Sequence, residues 1–126
     1  MRNYLIVFLG AGIGGAMRYS VNMFALKLLG TGFPFGTLAV NILGSLLMGV
    51  LFGLFSTIWE LTHAGMRLFL ATGVLGGFTT FSAFSLDAAL LYEQGHLALA
   101  MGYIVASVGL ALAGLFLGMA LARYFS

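Results

Sequence analysis

Charge is confined to eight residues of this 126-residue chain: Arg2, Arg18, Lys27, Glu60, Arg67, Asp87, Glu93 and Arg123. Long uncharged runs separate them, at 28–59 and 94–122, with shorter ones at 68–86 and 3–17. This spacing decides the fold class. Charged residues are 6% of the chain and hydrophobic ones 62%, whereas a soluble domain carries about 25% charged residues. A soluble fold this small cannot cover its surface with so few polar groups. Disorder is excluded too, because it needs low hydrophobicity and high charge. What remains is a chain whose solvent is lipid.

A helix crosses a bilayer core of about 30 Å with about 20 apolar residues. The uncharged runs predict four spans: Tyr4–Leu28, Phe35–Thr57, Met66–Tyr92 and Leu97–Ala122. The apolar runs are continuous rather than alternating, so helices are expected and not barrel strands. The fold class is therefore all-α, with four transmembrane helices in a single domain over 1–126. Connections are short. Residues 30–34 hold two glycines and the single proline, Ile58–Gly65 holds Trp59, Glu60 and His63, and Glu93–His96 holds Gly95. Arg2 followed by Tyr4–Leu9 resembles the start of a signal peptide, but Arg18 and the equally apolar remainder favour an uncleaved first span.

Alternating spans place Arg2, Arg67 and Arg123 on one side and Lys27 on the other. The positive-inside rule then puts both termini in the cytoplasm, but so small a bias also permits both orientations. The net charge of +2 comes from scattered residues, so the clustered basic surface that nucleic acid requires is missing. No cysteine is present to form a disulfide, zinc site or reactive thiol.

Nineteen glycines call for a reason. Pairs recur at spacing four: Gly10 and Gly14, Gly49 and Gly53, Gly73 and Gly77, Gly114 and Gly118. Small residues at that spacing make a flat helical stripe and let backbones approach closely. Gly10, Gly12 and Gly15 also spell a dinucleotide fingerprint, but no acid lies about 20 residues on, so they read as packing.

Polar groups at membrane depth are expensive and usually functional. Arg18 either snorkels to an interface or attracts an anion to a vestibule. Asn41 shares a face with Thr37 one turn earlier. Its amide either joins helices or strips water from a passing anion. Residues 76–85 read GGFTTFSAFS, a poor continuous membrane helix, and predict a break near Gly76–Thr80. Such a break frees carbonyl groups that can bind a cation. Beyond it, Phe81 and Phe84 share a face and are flanked by Thr80, Ser82 and Ser85. Aromatic ring edges are positive, so two rings can hold a small anion weakly, as conduction requires. Tyr103 and Ser107, four apart, add hydroxyl donors. Catalysis is not supported: His63 and His96 lie in loops, and nothing joins Ser85, His96 and Asp87 into a triad.

These residues resemble the CrcB/Fluc family of fluoride channels over nearly the whole chain. The resemblance rests on the glycine-rich first span with Arg18, on GTLAVN at Gly36–Asn41 followed by Gly44, and most specifically on GGFTTFSAFS at Gly76–Ser85. It implies an antiparallel, dual-topology homodimer in the bacterial inner membrane, with two fluoride paths at the subunit interfaces. Phe81 and Phe84 match the path-lining phenylalanines, and Asn41 matches the pore asparagine. Gly76 and Thr79 match positions whose carbonyls hold a structural sodium ion, and Tyr103 and Ser107 match a polar track. Asp87 stands where glutamate is frequent. The rival reading is a small dual-topology drug or cation exporter. That class uses a glutamate in its first span, where this chain has Arg18 and no acid.

Overall fold

The structure, a computed structural model, describes residues 1–57 and 64–125. All of its regular elements are helical. α1 spans Arg2–Leu29 and α2 spans Phe35–Thr57. α3 spans Ala64–Arg67 and runs into a π-helical segment at Leu68–Leu75, which continues as α4, Gly76–Phe78. Thr79 and Thr80 are extended, and α5, Phe81–Glu93, and α6, Leu97–Phe125, complete the chain. Four stretches are long and apolar enough to cross a membrane: Arg2–Leu29, Phe35–Phe55, Ala64–Glu93 and Leu97–Phe125. They agree with the expected spans within a few residues. The 58–63 part of the expected loop, with Trp59, Glu60 and His63, lies outside the described residues.

The turn after α5 follows from Gly95, whose φ is +85°. Its N–H donates to Tyr92 O at 3.1 Å, and the His96 N–H donates to Leu91 O at 2.9 Å. This pair of bonds closes a helix end on a left-handed residue, a position that favours glycine. α6 starts directly afterwards.

Two backbone-to-backbone interfaces build the fold. α1 packs on the π-helical segment and α4, while α2 packs on α6 along most of its length. The glycine stripes lie in these interfaces. A methyl group built on Gly14 would meet Val74 O and stand 2.8 Å from Phe78 N. One on Gly118 would meet Leu46 O and stand 2.8 Å from Val50 N. Gly12 and Gly15 have open space instead, so the apparent fingerprint divides into one packed and two open positions. Lipid supplies no hydrophobic drive between helices, so close packing of this kind must hold them.

The stretch Ala64–Glu93 changes neighbours along its length. Before Thr79 it lies against α1, and after Thr80 α5 lies against α6. There Phe84, Leu91, Ala100 and Tyr103 form a buried cluster, covered by Phe33, Leu38 and Ala88. At the α2 end, the Arg67 guanidinium stands 5.9 Å from the centre of the Phe55 ring.

Gly14→Ala and Gly118→Ala should each lower unfolding stability in detergent by about 1–3 kcal/mol, the usual range for overpacking. Gly12→Ala should leave it equal or higher, since alanine favours a helix. Equal losses at all three positions would contradict the glycine interfaces.

Candidate functional site

The polar residues converge where the two extended threonines meet α2. Thr79 has φ −88° and ψ 160°, and Thr80 has φ −155° and ψ 126°. Gly76 and Gly77 are themselves helical, so the extended backbone falls on the threonines alone. The hydroxyl of Thr79 donates to Leu75 O at 2.9 Å, and its N–H reaches the same carbonyl at 3.0 Å. The Thr80 hydroxyl accepts the Ala83 N–H at 3.1 Å and so caps α5 at its third residue. It also stands 3.3 Å from the Ser82 hydroxyl.

Asn41 joins α2 to this segment. Its Nδ2 donates to Thr80 O at 2.9 Å, and its Oδ1 accepts the Thr80 N–H at 2.8 Å. In a continuous helix that N–H would bond Gly76 O, four residues back. The Ala83 N–H would likewise bond Thr79 O, but it is taken by the Thr80 hydroxyl. Among the described residues, no donor therefore reaches the carbonyls of Gly76 or Thr79. The two positions thus present free oxygen ligands, the donor type that hard cations prefer.

Asn41, Thr79, Thr80, Phe81, Phe84 and Ser107 all line one cavity of about 390 Å³. No residue in its wall carries a formal charge. Ser107 Oγ is buried there and has no hydrogen-bond partner among the described residues. Buried hydroxyls are normally paired, so this one is available to a guest.

The two rings of the expected stripe have different surroundings. Their centres are 5.5 Å apart, but Phe84 is 8% exposed and Phe81 is 77% exposed. Phe84 packs on Tyr103 at 5.2 Å, and Tyr103 packs edge-on against Phe33 at 5.4 Å. Phe81 shows its ring outward beside Ser82 and Ser85, which are exposed as well.

Tyr103 is fully buried. Its hydroxyl donates to Asp87 Oδ2 at 3.2 Å. Thr37 and Asp87 also line a separate cavity of about 290 Å³ with Asn22, Phe33 and Gly36. Phe84 lines the first cavity and packs on Tyr103, whose hydroxyl bonds Asp87 in the wall of the second. Arg18 lines neither of them, and Ser82 borders the first only through Thr80.

Sequence reasoning missed three features. Thr80 is the anchor of the segment, and the signal available for its cap is a threonine directly ahead of a helical stretch. Asp87, whose role the sequence left open, is the partner of Tyr103. Asn22 lies against Gly36 where α1 meets α2, and no local pattern marks it.

A membrane chain of four spans, with a neutral cavity walled by aromatic rings, amide and hydroxyls, has the makings of a small-ion pathway. It is a multi-pass membrane protein. The family described as "CrcB-like protein, Camphor Resistance (CrcB)" matches residues 5–119. The fluoride-specific ion channel FluC 2 of Nitrobacter hamburgensis is 51% identical over 124 residues, covering 98% of this chain and 99% of that protein. The fluoride-specific ion channel FluC of Rhodopseudomonas palustris is 53% identical over 120 residues, covering 95% and 96%. That of Granulibacter bethesdensis is 53% identical over 127 residues, covering 98% and 96%. The chain belongs to the CrcB family.

Tyr103→Phe should lower stability by about 1–3 kcal/mol, because it leaves the part-buried Asp87 without this donor. Adding Asp87→Asn should restore part of that loss, since a neutral amide is cheaper to leave unpaired than a carboxylate. Chemical denaturation of the three proteins in detergent measures both steps. No recovery in the double variant would refute the pairing.

Proposed function

We propose that this chain is a fluoride-selective channel of the bacterial inner membrane, which lets fluoride leave the cytoplasm passively and so lowers its internal level. The observation that carries the reading is the 390 Å³ cavity, where Phe81 and Phe84 meet neutral donors and no formal charge. Fluoride is small and strongly hydrated, so N–H, O–H and ring-edge dipoles must replace its water along a narrow route. A full positive charge would hold it too long for rapid release. The names of the relatives support fluoride as the ion. Acid drives neutral HF inward, it dissociates inside, and the membrane potential drives the anion out.

The working unit is an antiparallel homodimer of dual topology, with two paths along the subunit interfaces. The outward-facing Phe81, beside Ser82 and Ser85, supports this: a polar and aromatic face is unsuited to lipid. The weak charge bias suits insertion in both directions. Ser107, Tyr103 and Thr37 extend the donor track along the wall, and Arg18 draws anions toward a mouth.

Ala64–Glu93 acts as one broken transmembrane helix. The carbonyls of Gly76 and Thr79, free of helical donors, fit a sodium ion shared by two subunits. Held by those carbonyls, such an ion would supply a fixed positive centre. Asn41 and the Thr79 hydroxyl hold this stretch of backbone in place.

The test is fluoride efflux from liposomes reconstituted with the folded dimer, read with a fluoride electrode. Flux well above that of empty liposomes is expected, with chloride retained. Flux no greater than background, with the dimer confirmed, would sink the reading. Phe81→Ile and Phe84→Ile should each cut flux about tenfold or more, equivalent to about 1.4 kcal/mol on the barrier, with the dimer intact. Unchanged flux in both would remove the rings from the path.

A further inference from the structure

We infer that Asn41 serves the ion path as a positioning residue, whose amide clamps the backbone of Thr80 and thereby aims Phe81 and Phe84 and keeps the Gly76 carbonyl free. The inference rests on the reading above that fluoride passes the two rings.

The geometry is a two-point hold. Asn41 Oδ1 takes the Thr80 N–H at 2.8 Å, and Asn41 Nδ2 gives a proton to Thr80 O at 2.9 Å. One bond would fix a distance, whereas two to the same residue fix its orientation as well. An amide has two N–H donors and one carbonyl. The carbonyl and one donor are committed to Thr80, which is a poor arrangement for a residue whose task is to wrap a passing anion.

The clamp acts in both directions along the chain. Upstream, it diverts the one N–H that would otherwise bond Gly76 O in a continuous helix. Removing Asn41 leaves the Thr80 N–H and C=O without these partners and frees the segment to move. Downstream, Phe81 directly follows Thr80, and Phe84 is one turn further along the same helix. Whatever fixes Thr80 fixes where that helix begins and where its rings point.

The clamp also closes a frame. Asn41 belongs to α2, and α2 is locked to α6 through Gly118 and Gly49. α6 supplies Tyr103, on which Phe84 packs at 5.2 Å. Phe84 is thus held from both ends by the same pair of helices, through Thr80 on one side and Tyr103 on the other. Without Asn41, the hold through Thr80 is lost and Phe84 keeps only its packing within the Tyr103 cluster.

Two variants of the full-length dimer test this. Asn41→Leu, of similar size, removes both bonds. Asn41→Asp keeps the acceptor for the Thr80 N–H but cannot donate to Thr80 O when ionised. Three quantities are read: hydrogen exchange of the Thr80 N–H by NMR, the fluorine resonance of 4-fluorophenylalanine at position 81, and fluoride flux in liposomes. In Asn41→Leu, exchange at Thr80 should rise about tenfold, the equivalent of one hydrogen bond, the fluorine line should broaden or split, and flux should collapse. Asn41→Asp should fall between it and the wild type in exchange and line shape, and it carries the test if the leucine variant does not assemble. Loss of flux with unchanged exchange and an unchanged fluorine line would overturn the clamp and make Asn41 a direct ligand. Faster exchange with full flux would overturn it too. Wild-type liposomes without flux would overturn the channel reading and this inference together, whereas active wild type with unmoved exchange in both variants overturns the clamp alone.

Discussion

Lipid offers the peptide backbone no hydrogen-bond partner, and the rest of this structure depends on that constraint. Helices meet it by pairing their own amides. Even the hydroxyls follow: Ser20 donates to Ala16 O and Ser85 to Phe81 O, each one turn back in its own helix. Thr79 still bonds Leu75 O one turn back, but Thr80 departs from the pattern, and there an amide from another helix takes over the pairing. The candidate site is the place where the helical ladder lets go. The free carbonyls lie at and just before the two extended residues, and the Ser107 hydroxyl, which has no hydrogen-bond partner among the described residues, lines the same cavity as Thr79, Thr80 and Phe81.

A second constraint concerns how the helices stay together. In water, apolar side chains would drive them into contact; in lipid that drive is gone. The chain answers with backbone contact, made possible where a side chain is missing. This explains why few large side chains are buried in the single chain. Among the described residues, Tyr103 and Val40 are the largest side chains buried completely. One cluster of buried side chains surrounds Tyr103, where the rings and the carboxylate of Asp87 meet.

Much of this is legible in the residues themselves. Charge-free runs mark the four spans, because lipid penalises charge. Spacing of four marks the glycine contacts, because a helix repeats every 3.6 residues. Hydroxyls beside phenylalanines mark the site, because such a mixture has no reason to face acyl chains. What is not legible depends on distance along the chain. Nothing in the sequence links Asn41 to a threonine 39 positions away, or Asp87 to Tyr103. The difference between Phe81 and Phe84 is hidden for the same reason: equal residues three apart differ only in what stands opposite. Glycines also mislead locally. Gly76 and Gly77 suggest where the helix stops, yet they remain helical, and the threonines, whose hydroxyls can replace lost backbone bonds, are the ones that unwind.

The change of neighbours at Thr79 has a mechanical meaning. On one side of it, α1 and the preceding segment touch backbone to backbone, with no layer of rotatable side chains between them. Such a pair has nothing soft with which to absorb a shift, so it moves as one body. On the other side, α5 rests on α6 through rings and aliphatic side chains, a contact that yields by changing rotamers. Stiffness is therefore distributed unevenly through a very short chain. Gly76 belongs to the rigid part and the rings to the more yielding one, and the junction between them is two residues long, pinned at Thr80 by Asn41.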